Sequence, residues 1–183
     1  MKTRETGIEG LTIIEPRVHL DRRGYFYECY HKEKFRQMGI RQTFIQDNQS
    51  RSARDVIRGL HFQRSPHGQT KLVRVTEGMI YDVAVDIREG SPTFGRWFGI
   101  ELSVENHLQL LIPRGFAHGF SVLSPHATIL YKCDSLYHPD SESGIRFNDP
   151  DMGIDWRVEP EHAIVSDKDR DLPFLKDIQK EKP

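Results

Sequence analysis

From residue 70 to residue 137 the chain is cut into short strand-like pieces, each closed by turn chemistry, and that rhythm limits the fold more than any other feature. The punctuation is Glu77-Gly78, Glu89-Gly90-Ser91-Pro92, Pro113-Arg114-Gly115 and Ser124-Pro125, where glycine supplies positive φ and proline pre-sets a turn. Between two of these turns, residues 79–88 alternate. Met79, Tyr81, Val83, Val85 and Ile87 fall on one side, and Asp82, Asp86 and Arg88 on the other. Further strands are expected over residues 10–16, 24–30, 41–48, 71–75, 96–103, 108–112, 119–123 and 128–137. Pieces this short and this regular indicate an all-β sandwich or barrel. No long helices alternate with them, so parallel βαβ units have no support, and the expected form is an antiparallel jelly roll. One helix is expected over residues 31–38, with Phe35 and Met38 on one face and Gly39 as its stop.

A length of 183 residues suits one domain, 1–183. Hydrophobic residues make up 37% and charged residues 29%, a mixture too apolar for a disordered chain. Apolar runs never exceed three residues, far short of the roughly 18 to 20 that a spanning helix needs. The opening Met1-Lys2-Thr3-Arg4-Glu5-Thr6 lacks the apolar segment of a secretory signal. A cytoplasmic location is therefore expected, with no membrane partner. Lys plus Arg number 26 against 27 for Asp plus Glu, a net charge of -1. No global field draws the chain to nucleic acid, and any anion must be met locally. Cys29 and Cys133, far apart in sequence, read as reduced, small core residues.

Three clusters place polar residues inside strand-like stretches. The first is Arg58-Gly59-Leu60-His61-Phe62-Gln63, followed by Gln69, Lys71 and Arg74. Strict alternation puts Arg58, Leu60 and Phe62 on one face, Gly59, His61 and Gln63 on the other, and groups Gln69, Lys71 and Val73. Should the last two groups face a barrel interior, a histidine and a lysine share one cavity. Taken singly, His61 reads as a hydrogen-bonded structural residue and Lys71 as a rim residue. The second cluster, residues 113–120, contains Pro-x-Gly-x-x-His, which resembles the second motif of cupins, whose histidine often binds metal. The first cupin motif needs His-x-His and a later glutamate, whereas this chain has His61-x-Gln63. One or two ligands remain where catalytic metal sites have three, so no metal is expected. The third cluster, residues 131–139, sets Tyr131, Cys133, Ser135 and Tyr137 on one face. Arg23, Arg58 and Lys71 together can neutralise a diphosphate. Gly-x-Gly-x-x-Gly and the Walker sequence are absent, so side chains would have to hold it.

Taken in order, these stretches resemble the dTDP-4-dehydrorhamnose 3,5-epimerase family. The matching runs include Asp21 to Glu28, Phe44 to Asn48, Arg58 to Gln63, Lys71 to Val75, Asp82 to Asp86 and Ser91 to Gly95. They continue through Ile112 to Phe120, Tyr131-Lys132, Asn148-Asp149-Pro150 and Ser166-Asp167-Lys168-Asp169. The resemblance implies a cupin-type jelly roll with a few short helices, a homodimer, no metal or organic cofactor, and a dTDP-linked 4-keto-6-deoxy sugar as substrate. It implies His61 as catalytic base, Tyr131 as proton donor, Asp169 rather than Asp167 as the carboxylate partner of His61, and Lys71 beside the sugar's C4 oxygen. Arg23, Glu28, Gln46, Asp47, Asn48, Arg58, His118, Glu142 and Lys168 match substrate-contacting positions, and Tyr137 matches the ring that stacks on thymine. Part of the N-terminal segment is implied to cross to the partner subunit, with Arg23 and Glu28 serving the partner's site, while the C-terminal tail packs outside. Three other readings stay open: an enzyme acting only at C3 or only at C5, a sugar-binding cupin without catalysis, and a metal-dependent cupin oxygenase. An acid and base together argue against the second, and His61-x-Gln63 against the third.

Overall fold

The computed structural model describes residues 1–178; the last part of the expected C-terminal tail, 179–183, lies outside the described residues. The strands are β1 (Lys2–Glu5), β2 (Thr12–Glu15), β3 (His19–Asp21), β4 (Gly24–Phe26), β5 (Gln46–Ala53), β6 (Ile57–Gln63), β7 (Lys71–Glu77), β8 (Met79–Asp86), β9 (Trp97–Ser103), β10 (Gln109–Ile112), β11 (Phe116–Val122), β12 (His126–Cys133) and β13 (Glu142–Gly144). Among the described residues the α-helices are short: α1 (Lys32–Gln37) lies between β4 and β5, and α2 (Asp167–Arg170) and α3 (Leu175–Ile178) follow the last strand. A six-stranded sheet in the order β1-β2-β10-β7-β12-β5 faces a five-stranded sheet in the order β13-β6-β11-β8-β9, with β3 and β4 forming a separate ribbon. Every strand pairing is antiparallel, as a jelly roll requires.

The sandwich has three apolar layers. Between the sheets, Val73, Val75, Ile80, Ala84, Leu110, Phe120, Val122 and Ile129 fill one end. Outside the five-stranded sheet, Tyr81, Val83 and Val85 pack against Ile145, Met152, Trp156 and Val165 of the C-terminal segment. Outside the six-stranded sheet, α1 lays Phe35 against Ile14, Leu72 and Leu111. His31 caps α1 by accepting from the Lys34 amide, and Gly39 ends it at φ 85°, so the helix matches the expected stretch.

Three expectations need correction. Both sides of β8 are covered, and Asp82 and Asp86 are fully buried; the side expected to be polar is the one that looks between the sheets. The strand expected over 41–48 begins only at Gln46 and runs to Ala53, because its signal is not apolar. Its inward positions, Gln46, Asn48, Ser50 and Ser52, are the covered ones and its outward positions are exposed. The third concerns β6, where alternation is interrupted. His61 pairs with His118 and Arg58 with Phe120, so Gly59 and Leu60 lie opposite Gly119 alone, two residues against one, which is a β-bulge. Arg58 and His61 therefore share a face.

Candidate active site

The open end of the sandwich is a cleft of about 320 Å³ lined by Gln46, Asn48, His61, Phe62, Gln63, Gln69, Lys71, Tyr131, Tyr137 and Glu142. Its two walls come from the two sheets. On the six-stranded wall the register aligns Asn48, Tyr131 and Val73 in one row and Gln46, Cys133 and Lys71 in the next. Side chains in one row of an antiparallel sheet point the same way, so Tyr131 and Lys71 enter the cleft together. On the other wall, His61 sits between Gly144 of β13 and His118 of β11.

His61 is oriented from behind. Its Nε2 lies 2.7 Å from Oδ1 of Asp169, whose Oδ2 accepts the Gly59 amide at 3.1 Å. Asp169 reaches this place because Ser166 caps α2 by accepting the Asp169 amide at 3.1 Å, and a parallel bridge from Val56 to Ile164 ties the segment to the sheet. Burial pushes the Asp169 carboxyl up, but hydrogen bonds from His61, Gly59 and Ser166 together hold it below its ordinary value. An ionised Asp169 is an acceptor only, so the His61 nitrogen that faces it, Nε2, is the one that donates. Gly59 has no substitute here. Its φ is 111°, and a Cβ would lie 2.6 Å from both the Gly119 Cα and the His118 carbonyl oxygen.

Burial lowers the Lys71 ammonium pKa, against the raising influence of Cys133, Asp82 and Glu142. Burial also raises the Tyr131 phenol pKa, helped by Cys133 and opposed by Arg58, so at neutral pH Tyr131 holds its proton. Arg58, turned inward by the bulge, donates from Nε to Ser52 at 2.9 Å. At the mouth, Glu142 accepts from the Tyr137 hydroxyl at 2.9 Å and from Lys168 at 2.5 Å. Among the described residues, no group of three or more His, Cys, Asp or Glu is placed to hold a metal ion.

A family model described as dTDP-4-dehydrorhamnose 3,5-epimerase matches residues 5–177. The chain belongs to this epimerase family. The relative named dTDP-4-dehydrorhamnose 3,5-epimerase from Methanothermobacter thermautotrophicus is 50% identical over 175 residues, covering 94% of both chains. Among solved structures, the epimerase of Elizabethkingia anophelis matches with a TM-score of 0.93 at 50% identity, covering 97% of both chains. The Legionella pneumophila enzyme, solved in complex with dTDP-4-keto-L-rhamnose, matches with a TM-score of 0.91 at 49% identity, covering 96% of this chain and 93% of that one.

Of the residues nominated by resemblance to the dTDP-4-dehydrorhamnose 3,5-epimerase family, His61, Lys71, Tyr131, Gln46, Asn48, Tyr137 and Glu142 line the cleft, and Asp169, Arg58 and Lys168 contact or face that lining. Four lie elsewhere. Asp47 points to the outer face of its sheet, where it pairs with Lys132 at 2.8 Å; strand alternation separates it from Gln46 and Asn48. His118, paired with His61 and on the same inner face, is buried beneath the cleft lining between the sheets, with Nε2 2.8 Å from Asp82. Arg23 bonds its neighbour Asp21 on the exposed ribbon, and Glu28 pairs with Lys34 beside α1. Neither lines the cleft of its own chain. The lining residues outside that set are Phe62, Gln63 and Gln69. Their positions two before, and one and two after, catalytic candidates on strands were the available signal.

Proposed function

We propose that this chain inverts C3 and C5 of dTDP-4-dehydro-6-deoxy-D-glucose, giving dTDP-4-dehydro-L-rhamnose without metal or organic cofactor. The observation that carries this reading is the meeting, in one cleft, of an Asp169-held His61 on one wall with Lys71 and Tyr131 on the other. The hydrogens on C3 and C5 are both α to the C4 carbonyl. His61 Nδ1 removes one of them, the electron pair moves onto the C4 oxygen as an enolate, and Asp169 stabilises the imidazolium. Lys71 holds that oxyanion, and a single holder serves both carbons because both flank C4. Tyr131 then protonates the carbon from the other side, leaving a phenolate. A net proton passes from imidazolium to phenolate through solvent, and the pair is reset for the second carbon. Tyr137 carries the thymine, while Arg58, Lys168, Gln46 and Asn48 hold the rest of the nucleotide sugar, so remote binding energy positions the ring.

A homodimer completes this reading. Every residue of the β3–β4 ribbon is exposed, including Leu20 at 80% and Phe26 at 67%, which suits an arm laid on a second copy that brings Arg23 to the partner's cleft. Proton NMR in deuterated water tests the chemistry, using dTDP-4-dehydro-6-deoxy-glucose with and without a chelator. Deuterium entering both C3 and C5, indifferent to chelator, is the expected result. Exchange at one carbon would reduce the activity to a single-position epimerase, and no exchange would leave a sugar-binding module.

A further inference from the structure

Gln63 occupies the place where a metal-binding cupin carries the second histidine of His-x-His, and its side chain is committed to something else. Its Oε1 accepts the His138 amide at 2.6 Å, and its Nε2 donates to the carbonyls of His67 at 2.6 Å and Leu136 at 3.3 Å. Only one orientation of the carboxamide satisfies all three, because the oxygen must meet the N–H and the nitrogen the two carbonyls. The adjacent amide, that of Tyr137, is accepted by Oε1 of Gln46 at 2.9 Å. Two consecutive backbone amides are thus caught by carboxamides from opposite sheets. The loops they tie also meet through the His67 and His138 rings, stacked with centroids 3.6 Å apart.

We propose that Gln63 is a positioning residue for nucleotide binding: it clips the 136–138 strap across the cleft mouth and so sets the plane of the Tyr137 ring on which the base stacks. The inference rests on the proposed role of Tyr137. That ring is half exposed and bonds Glu142 at its hydroxyl, while Gln46 holds the Tyr137 amide and Gln63 the next one, so these backbone anchors decide how much rotational freedom is lost on binding. Gln63→Met removes all three clip bonds at nearly constant volume. Gln63→Glu keeps the acceptor for His138 and loses both donors.

The test is calorimetric titration with dTDP of wild type, Gln63→Met, Gln63→Glu, Tyr137→Ala and the Gln63→Met/Tyr137→Ala double variant, with KM and kcat measured alongside. Gln63→Met is expected to weaken dTDP binding about tenfold, the factor a single net hydrogen bond commands, and Gln63→Glu to weaken it as well. KM rises by a similar factor, with a smaller change in kcat. In the Tyr137→Ala background, Gln63→Met should add nothing. Equal losses in both backgrounds, or wild-type affinity in both Gln63 variants, would overturn the clip while leaving Tyr137 as the platform. Wild-type affinity in Tyr137→Ala would remove the platform itself, and the clip with it.

Discussion

Replacing Asp169 by Asn keeps the shape of the side chain and removes its charge, which makes it the most informative single change in the cleft. Two donors converge on the carboxylate, the His61 ring at 2.7 Å and the Gly59 amide at 3.1 Å. An asparagine has one oxygen to offer. If that oxygen stays with Gly59, the NH2 faces Nε2 of His61, and the ring must move its proton to Nδ1, the atom proposed as the base. At an effective dielectric of about 20, a full imidazolium–carboxylate pair at this separation is worth ~6 kcal/mol. A proton half transferred in the transition state draws on about half of that, roughly a hundredfold in rate. The wrong tautomer deepens the loss toward about 10⁴, as carboxylate-to-amide changes do in other histidine dyads. Expected, then, is a fall in kcat of about 10² to 10⁴, with equal loss of deuterium exchange at C3 and C5 and little change in dTDP affinity. A variant that folds and exchanges both carbons within about fivefold of wild type would refute the assignment of Asp169 as orienter and His61 as base.

Lys71→Met should lower kcat by roughly 10² to 10³, the cost of one lost oxyanion donor, while calorimetry finds dTDP binding nearly intact; an unchanged kcat would place the oxyanion elsewhere. Tyr131→Phe should still let deuterium into C3 and C5 but without inversion, since His61 can only return the proton to the face it came from, and L-configured product at wild-type rate would contradict this. Gly59→Ala meets backbone atoms at 2.6 Å from a positive φ and should cost about 3 kcal/mol or more in urea unfolding; a loss under about 1 kcal/mol would mean the bulge is not tightly packed. Asp169 should also leave its mark on acid stability. Its carboxyl is held below the ordinary value in the fold, so the unfolded chain takes up the proton first. Its contribution is complete above about pH 4 and disappears as pH falls through the lowered folded value. Asp169→Asn should flatten the pH dependence of unfolding free energy below pH 4, and an unaltered slope would count against the ionised carboxylate.

The sandwich was legible because turn residues and alternation are local signals. Strands β7 to β10 fall where glycine, proline and period-two apolar patterns put them, whereas β11 begins at Phe116, ahead of the expected 119, and β12 ends at Cys133, short of the expected 137, so alternation does not carry Ser135 and Tyr137 onto the face of Tyr131. Strands without apolar residues escaped: β1 is exposed throughout, and the inward face of β5 is a row of Gln, Asn and Ser. Such a row looks like loop in sequence because the surface it meets is a polar cleft, not a core. The bulge in β6 is a tertiary fact, visible only once β11 is paired beside it, and without it alternation set Arg58 on the wrong face. The reach of Asp169 across 108 residues to His61 has no local signature either. Only resemblance to the family could nominate it.

The division of the site between two sheets explains how one small fold performs an inversion. Epimerisation needs a base and an acid on opposite sides of a planar enolate, with the stabilising charge at its edge. Side chains on a single sheet face all point one way, so no one wall can supply both. In a sandwich the inner faces of two sheets look at each other across about 10 Å, a gap that admits a pyranose ring. His61 comes from β6 of the five-stranded sheet, and Tyr131 and Lys71 come from neighbouring strands of the six-stranded one. The bulge at Gly59 joins this arrangement to the C-terminal segment, for the same glycine that turns Arg58 inward donates its amide to Asp169. His61 and Asp169 are therefore fixed by a glycine that no other residue can replace, while Tyr131 and Lys71 are fixed by the register of β7 against β12. A register slip of one residue between β7 and β12 would turn one strand over relative to the other and send either Tyr131 or Lys71 to the outer face, parting the two side chains while leaving His61 in place.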